Sequence, residues 1–580
     1  MQDSPRTDDR SGLELDEGFE SIFSTSLVLL NRSRNRLAAV LDQQSTTKTS
    51  APVVILVSGY GKTKSSHLRL GYYLAYNGFR VIRYDHSNHI GESDGPILLT
   101  TLSQMAADLE AVIDFVAQKL TAAQIGVVAE SLGARAALKV ASYDRRVGFF
   151  ASLIGVFDVQ DTLRTIYGED GFVEKMHGVD LGIRDIMGFQ VDSDRFVLDA
   201  CHNGFHSIES AERDAANSQL PTYFFVAEND PWVDQESVRR VFASLGTTRK
   251  KKYLLPGVMH ELYENPIIAA DTCCEIVKAV QSSFHGDNAG QELIRVPPEN
   301  SLVAQSRIEK RARSKDMKTA EEKLFWTEYL EKYSYIVKLQ DYWNLLESIG
   351  SCLGAWKRGE RILDAGCGIG NFGTFLLVRH LYQALQLNTA SLRRKSWAQY
   401  VGIDFVHDSL IQAKAVHQQL HEEFGPRIEW ALRGTSLVDF SYSVVDLNCE
   451  LPFKSQCFDK IISNLVLSYV KDPEFTLSEL CRTLKVGGRI VITTLKPNAD
   501  LSRIYRNYAS VSRTTEEIRQ ARMVLSNAGL IKHKEAEGFY QFFSEFQLTD
   551  LLQKIGCHRI VSFRSFGDQA NVAVAEKPSL

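Results

Sequence analysis

The stretch that decides the fold of this chain is IGVVAESLGARAALKVA, residues 125–141. Its first part is a continuous apolar run, typical of a strand buried on both faces of a parallel sheet. Its second part is rich in alanine and predicts a helix. Ser131 stands at the junction, with the small residues Ala129 and Gly133 two positions to either side. Small residues there let strand and helix approach closely on a sharp turn that exposes the serine hydroxyl.

A serine after a strand is often only a helix N-cap, so this turn alone is a weak signal. Two residues downstream strengthen it, because Asp230 follows the apolar run TYFFVAEN and His260 follows KKYLLPG. Serine, then an acid, then histidine is the chain order of the triad in α/β-hydrolases. We expect His260 to take the proton of Ser131, and Asp230 to hold the imidazole in the correct tautomer.

The early loop SGYG, residues 58–61, follows the first predicted strand. Such a loop commonly supplies one backbone donor to the oxyanion that forms during acyl transfer. We therefore predict the N–H groups of Tyr60 and Leu132 as the two donors. The nearby His86 and His89 lack a convincing third ligand, so we expect a structural loop and no metal.

The surrounding sequence, from about residue 53 to 280, alternates short apolar runs with amphipathic segments. This alternation predicts a parallel sheet covered on both faces by helices. The interval 158–220 breaks the pattern, and we expect a helical insertion that serves as a lid.

A second alternating region begins at LDAGCGIGNFGTFLL, residues 363–377. The glycines Gly366, Gly368 and Gly370 predict a tight turn whose backbone approaches a ligand closely. Asp364 precedes the first glycine, and Asp404 ends the next strand, where a carboxylate would accept the ribose hydroxyls of a nucleoside. The spacing, 404 − 364 = 40, exceeds the usual ~20 residues, so residues 385–399 are expected to form an extra loop.

Further motifs follow in order: VVDLNCELPF, FDKIISNLVL and LKVGGRIVITT. Together with the glycine turn they resemble the class I methyltransferases that use S-adenosylmethionine (SAM), over residues 320–575. The resemblance implies that Asp446 and Leu447 hold the adenine ring and that Asn464 ends the fourth strand. The strand ends in Asn464-Leu465-Val466 and not in the NPPY motif. This difference favours a small-molecule or lipid acceptor. His533 and Tyr540 are weak candidates for a base, for which a surface or core role is favoured.

The first half carries a resemblance of its own in four segments: LAYNGFRVIRYDHSNHIGESDG, AESLGA, AENDPWV and LLPGVMHELYEN. They are similar to the acyl-carrier-protein thioesterase family of bacterial luminescence systems, over residues 20–312. The resemblance implies a triad of Ser131, Asp230 and His260, and a covalent acyl-serine. It also implies a long-chain acyl thioester of acyl carrier protein or CoA as the substrate.

Composition limits the remaining choices. With 44% hydrophobic residues, 24% charged residues and a net charge of −5, the chain resembles a globular protein, without the basic character that nucleic acid favours. Nine scattered cysteines and a polar N-terminus favour reduced thiols, no signal peptide and a cytoplasmic location. The longest apolar run, 147–157, is too short to span a membrane.

We predict four parts: a disordered segment 1–20, an α/β-hydrolase domain 21–285, a connector 286–320 and a Rossmann-like methyltransferase domain 321–580. The basic run 307–318 fits a solvated helix face better than a contact with acyl carrier protein. The aromatic segment FWTEYLEKYSYIVKLQDYWNLL, residues 325–346, fits packing better than a binding role, although helices that enter a methyltransferase fold sometimes cover the acceptor site.

The leading hypothesis is a bifunctional enzyme of lipid metabolism, a serine thioesterase or acyltransferase fused to a SAM-dependent methyltransferase. The alternative is a methyltransferase whose hydrolase-like half only binds and presents an acyl substrate. Two unrelated activities on one chain are a third option. The acyl chain, the acyl acceptor, the methyl acceptor and the oligomeric state stay open.

Overall fold

The computed structural model describes residues 21–578, except 123, 287–292, 314–318, 334–335, 356–358, 387–397, 433–437, 512–513 and 537. The predicted disordered segment 1–20 and most of the predicted loop 385–399 lie outside the described residues. The described residues form two large sheets, one in each half of the chain, and a short hairpin.

The first sheet has eight strands in the order β1-β2-β4-β3-β5-β6-β9-β10. Strands β1 and β2 form an antiparallel hairpin on β4, and the other strands are parallel. Their bounds are β1 Ile22–Leu30, β2 Arg36–Gln44, β3 Val53–Val57, β4 Arg80–Tyr84, β5 Ile125–Glu130, β6 Val147–Leu153, β9 Thr222–Ala227 and β10 Lys250–Leu255. Strands β3, β4 and β5 lie at the centre of this α/β-hydrolase sheet, and they are buried along their whole length.

Helices cover both faces of this sheet, as the continuous apolar strands predict. They are α1 Leu68–Tyr76, α2 Leu102–Lys119, α3 Leu132–Ala141, α4 Val159–Tyr167, α5 Gly171–Met176, α6 Ser193–His202, α7 Ile208–Asn217, α8 Gln235–Ser244 and α9 Pro266–His285. The predicted helical insertion contains α4 to α7, and it also contains a hairpin, β7 Ile183–Ile186 with β8 Phe189–Asp192. The insertion is therefore not wholly helical.

A helix, α10 Glu299–Arg313, lies inside the predicted connector and packs back onto the first half. Its Glu309 accepts a hydrogen bond from Arg83 at 2.8 Å, and this fully buried guanidinium also donates to Asp42 at 2.6 Å. A charge buried at this depth needs paired partners. This helix is therefore anchored to the first half, and part of the basic run predicted as a solvated face carries a structural ion pair.

The second sheet has seven strands in the order β13-β12-β11-β14-β15-β17-β16. It is parallel from β13 to β15, and β17 and β16 are antiparallel additions. The bounds are β11 Arg361–Ala365, β12 Ala398–Asp404, β13 Val438–Val444, β14 Phe458–Asn464, β15 Leu484–Leu495, β16 His558–Ser565 and β17 Ala570–Glu576. From β11 the strands are added first towards one edge of the sheet, as β12 and β13, and then towards the other, as β14 and β15. Open α/β sheets bind their ligands at the point where this order changes, here between β11 and β14.

The helices of this half are α11 Thr319–Tyr333, α12 Gln340–Leu353, α13 Asn371–Gln386, α14 His407–Leu432, α15 Pro473–Thr483, α16 Ser502–Val511, α17 Thr515–Ala536 and α18 Glu545–Lys554. Helices α16 and α17 pack against the insertion of the first half. Tyr505 on α16 is buried there, donates to the Ile166 carbonyl at 3.0 Å and stacks at a tilt on Trp232. The two halves thus share a packed interface, called the seam below.

Candidate active sites

The turn that carries Ser131 is strained. Ser131 has φ 50° and ψ −126°, a conformation that costs an L-residue about 1–3 kcal/mol. A Cβ at Gly133 would lie 2.5 Å from the Ser58 carbonyl oxygen, and a Cβ at Gly59 would lie 2.8 Å from the Cβ of Ser131. Glycine at both positions is therefore what allows strand β3, the turn and helix α3 to meet.

Ser131, His260 and Asp230 form one hydrogen-bonded chain. The Oγ of Ser131 lies 2.8 Å from Nε2 of His260, and Nδ1 of His260 lies 2.7 Å from Oδ2 of Asp230. The other oxygen of Asp230 accepts from the N–H groups of Trp232 and Val233. Burial lowers the pKa of His260, but the Asp230 carboxylate outweighs it, so the pKa is raised above its ordinary value.

A partly buried lysine that no sequence motif marks ties the residues beside the triad together. Nζ of Lys62 donates to Glu130 at 2.7 Å and to Glu261 at 2.9 Å, the neighbours of Ser131 and His260. Burial raises the pKa of Glu261, but Lys62 and Lys532 outweigh it and lower the pKa to about 2. The only sequence signal was the position of this lysine directly after SGYG.

The loop SGYG is held in place by one of the two histidines that were expected to be structural. Nε2 of His89 accepts from the N–H of Gly61 at 3.1 Å, and burial together with His86 lowers the pKa of His89 to about 3. Within the described residues, the N–H groups of Tyr60 and Leu132 donate to no protein acceptor. No group of three or more His, Cys, Asp or Glu side chains in the described ranges is arranged to hold a metal ion.

A cavity of about 140 Å³ opens at the carboxyl ends of β11, β12 and β14. Most of the predicted cofactor residues line it, namely Asp364, Gly366, Gly368, Asp404, Asp446, Leu447 and Asn464. Gly370 differs from the prediction, because it does not line the cavity. A Cβ there would lie 2.8 Å from Cε1 of His417, so this glycine serves the packing of α14 against the turn.

Two buried carboxylates stand at the floor of the cavity. Asp404 accepts from the N–H of Gly368 at 2.8 Å and of Val406 at 2.9 Å, which connects the strand end to the glycine turn. Asp364 accepts from the Tyr400 hydroxyl at 2.6 Å, and burial with the nearby Asp404 raises its pKa to about 7. Burial also raises the pKa of Asp404.

The aromatic helix α11 forms one wall of the cavity. Glu322, Trp326 and Tyr329 line it, and so does Tyr469, whose ring packs against that of Trp326 with 4.7 Å between the ring centroids. The sequence left open whether this helix only packs or also covers the acceptor site, and its place in the cavity wall agrees with a cover. Burial raises the pKa of Glu322, and Asp446 adds to the effect.

The weak candidates for a methyltransferase base lie elsewhere. Tyr540 is buried in the aromatic cluster behind Trp326 and is not part of the cavity wall. His533 packs edge-on against Phe189 of the first half, 5.3 Å between ring centroids. The structural roles favoured for both from sequence fit these positions.

The architecture defines a two-domain enzyme, an α/β-hydrolase fold with a serine on its nucleophile turn followed by a methyltransferase fold. Residues 29–310 match the acyl transferase family model, and residues 339–561 match the model of a methyltransferase domain. The chain belongs to the acyl transferase family through its first half, and its second half is a methyltransferase domain.

Relatives of the first half are proteins named acyl transferases. The acyl transferase of Photobacterium phosphoreum is 30% identical over 226 residues, 39% of this chain and 73% of that protein. That of Vibrio harveyi is 32% identical over the same coverage. Among solved structures, the Est1E protein of Butyrivibrio proteoclasticus with bound ferulic acid matches at 17% identity and a TM-score of 0.38, over 45% of this chain and 99% of that one.

No helix in the described parts of the chain is long and apolar enough to cross a lipid bilayer.

Proposed function

We propose that the first half takes a long-chain acyl group from an acyl-carrier-protein or CoA thioester through an acyl-serine. The second half then methylates the acyl product or a related small molecule of lipid metabolism. The observation that carries this proposal is the hydrogen-bonded chain from Ser131 through His260 to Asp230 on a strained turn. Strain of this kind persists only where the surrounding structure holds the residue in place, and strained residues are concentrated at active sites.

The acylation step follows from these positions. The Oγ of Ser131 attacks the thioester carbonyl while its proton passes to Nε2 of His260. The carbonyl oxygen becomes an oxyanion, and the N–H groups of Tyr60 and Leu132 are the donors we assign to it. The tetrahedral adduct collapses by breaking the C–S bond, and the thiolate takes the proton from His260. Asp230 stabilises the imidazolium and keeps its own charge.

The second cavity has the features that a SAM site requires. The backbone at Gly366 and Gly368 has positive φ, and a Cβ at Gly366 would lie 2.5 Å from Cγ2 of Val466. We assign the ribose hydroxyls to Asp404 and the adenine to Asp446 and Leu447. SAM bound there supplies an electrophilic methyl group, and the aromatic wall of Trp326 and Tyr329 excludes water and aligns the acceptor.

The domain boundaries predicted above, 1–20, 21–285, 286–320 and 321–580, remain part of this proposal. So does the cytoplasmic location, for which the support is the nine free cysteines.

Incubation of the full-length protein with tetradecanoyl-CoA tests the acyl-transfer half. We expect a rapid release of CoA equal to the enzyme concentration, and an acyl adduct on the intact protein by mass spectrometry. Both disappear in Ser131→Ala, because the alanine lacks the attacking oxygen. Saturable binding without CoA release in the wild-type protein would instead identify the half as a module that only presents the acyl substrate.

A further inference from the structure

Three segments of the first half carry the groups assigned to acyl transfer. They are the loop of Tyr60, the turn of Ser131 and the loop of His260. Strands β3 and β5, which lead into the first two segments, are paired in the sheet, whereas the histidine loop follows β10 at the sheet edge. Strands β6 and β9 lie between β5 and β10. Backbone pairing therefore joins the first two segments more directly than it joins either of them to the third.

Lys62 belongs to the first segment and contacts the other two. Its Nζ donates to Glu130, which directly precedes Ser131, at 2.7 Å. It also donates to Glu261, which directly follows His260, at 2.9 Å. Beside the contact of Ser131 with His260, the lysine thus provides a second side-chain link between the nucleophile turn and the histidine loop.

The surroundings of this lysine make both links strong. Its side chain is 17% exposed, and those of Glu130 and Glu261 are 1% and 13% exposed. Burial lowers the pKa of Lys62, but the two carboxylates outweigh it and raise the pKa above its ordinary value. Lys62 therefore stays an ammonium ion at neutral pH and exchanges no proton with the triad. Charged hydrogen bonds shielded from water are strong, and the loss of one partner leaves a buried charge unpaired.

The second half of the chain also contacts this cluster. Nζ of Lys532 on helix α17 lies 3.4 Å from Oε2 of Glu261, while Lys62 binds Oε1. The side chain of Lys532 is 39% exposed, and an ion pair at such a place contributes little. The link through Lys62 is therefore the stronger of the two.

Resting on the acyl transfer proposed above, we propose that Lys62 is a positioning residue for that reaction. It holds the loop of Tyr60 and the loop of His260 against the turn of Ser131. The reaction needs the attacking oxygen, the imidazole and the oxyanion donors in one fixed geometry, and a displacement of about 1 Å can cost about a hundredfold in rate. Because the ammonium group binds two carboxylates of the protein, it acts on this geometry and not on the affinity for the acyl donor.

The test is Lys62→Met in the full-length protein, with tetradecanoyl-CoA as donor and the rate of CoA release in stopped flow as readout. We expect the maximal rate to fall by about tenfold to a hundredfold, because the three segments lose their common link. The half-saturating concentration of tetradecanoyl-CoA should change by less than about threefold. Lys62→Arg should restore most of the rate, since a guanidinium keeps the charge and can donate to both carboxylates.

Lys64→Met is the matched control. Lys64 lies two residues further along the chain, and its side chain is 7% exposed. Its Nζ also joins two carboxylates, Asp85 at 2.6 Å and Glu92, and neither of them neighbours a triad residue. Loss of this cluster should lower the melting temperature about as much as Lys62→Met does, and leave the maximal rate within about threefold of the wild type.

Three results overturn the role of Lys62. One is an unchanged maximal rate in Lys62→Met. Another is an equal loss of rate in Lys62→Met and Lys64→Met, which would show a contribution to folding alone. The third is a Lys62→Arg variant as slow as Lys62→Met.

Glu261→Leu gives the same test if Lys62→Met does not fold. It removes the link to the histidine loop and leaves Lys62 paired with Glu130. Its maximal rate should fall by about tenfold at an unchanged half-saturating concentration, and a wild-type rate overturns the proposal. If the wild-type protein itself releases no CoA, the acyl-transfer proposal fails.

Discussion

The imidazole of His260 interacts with charges from both halves of the chain, and their balance decides when it can accept a proton. Asp230 and Asp500 raise its pKa and Lys62 lowers it, with burial as the largest opposing effect. The net pKa lies above the ordinary value of 6.5. Only the neutral imidazole can take the proton of Ser131.

This predicts the pH dependence of acylation. Below the raised pKa the imidazole is protonated, so the rate falls as pH decreases through it, about tenfold per unit. We expect the midpoint of this acid limb above pH 6.5, measured as the rate of CoA release in stopped flow. A midpoint below 6.5 would contradict the dominance of Asp230 over burial.

Two glycines of the second half share a positive φ but differ in what surrounds them. At the first turn of the second sheet, Gly366 has φ +78°, and its missing side chain leaves room for Val466. Gly487, on strand β15, has a similar φ of +71°, but nothing lies within 4 Å of a Cβ placed there. Both glycines have a positive φ that other residues rarely adopt, but only Gly366 has a neighbour close to where a side chain would lie.

Gly366→Ala should therefore weaken SAM binding at least tenfold, about 1.4 kcal/mol, because the new methyl displaces the turn from its place beside Val466. Isothermal titration calorimetry gives the affinity. Gly487→Ala should lose about 1–2 kcal/mol of stability from the strained φ and bind SAM normally. Equal affinities for the two variants would remove the glycine turn from the site.

At the scale of the whole molecule, the seam joins the two domains through close backbone contact. A Cβ at Gly529 on helix α17 would lie 1.8 Å from the carbonyl oxygen of Met187, in the β7–β8 hairpin of the insertion. Nearby, the Ser526 hydroxyl donates to Asp185. The insertion over the acyl-transfer site is therefore held by the methyltransferase domain.

Gly529→Ala should push helix α17 away from Met187 and so disrupt this contact. Alanine is intrinsically favoured over glycine in a helix by about 1 kcal/mol, so any loss must come from the clash with Met187. We expect faster hydrogen exchange in residues 183–192 and a lower acylation rate, with SAM affinity unchanged. Gly171→Ala is the control, since a Cβ there meets its nearest neighbour at 3.7 Å. Unaltered exchange would show that the seam contact is dispensable.

Much of this organisation could be predicted from local sequence. The periodicity of the apolar runs predicted both parallel sheets, since a strand buried on both faces must be apolar throughout. The order of Ser131, Asp230 and His260 predicted a triad, and the structure brings the three side chains together. The resemblance of both halves to known families is confirmed by the acyl transferase and methyltransferase matches.

What only the tertiary structure decided are contacts between residues far apart in the chain. No local pattern predicts the link from Lys62 to Glu261, the place of Gly370 outside the cavity, or the link from Lys496 to Glu264. The first-half hairpin β1–β2 was also missed. Local sequence determines which elements form, because their periodicity is local; the way two folded surfaces meet depends on shape and charge summed over many residues, and that sum exists only after folding.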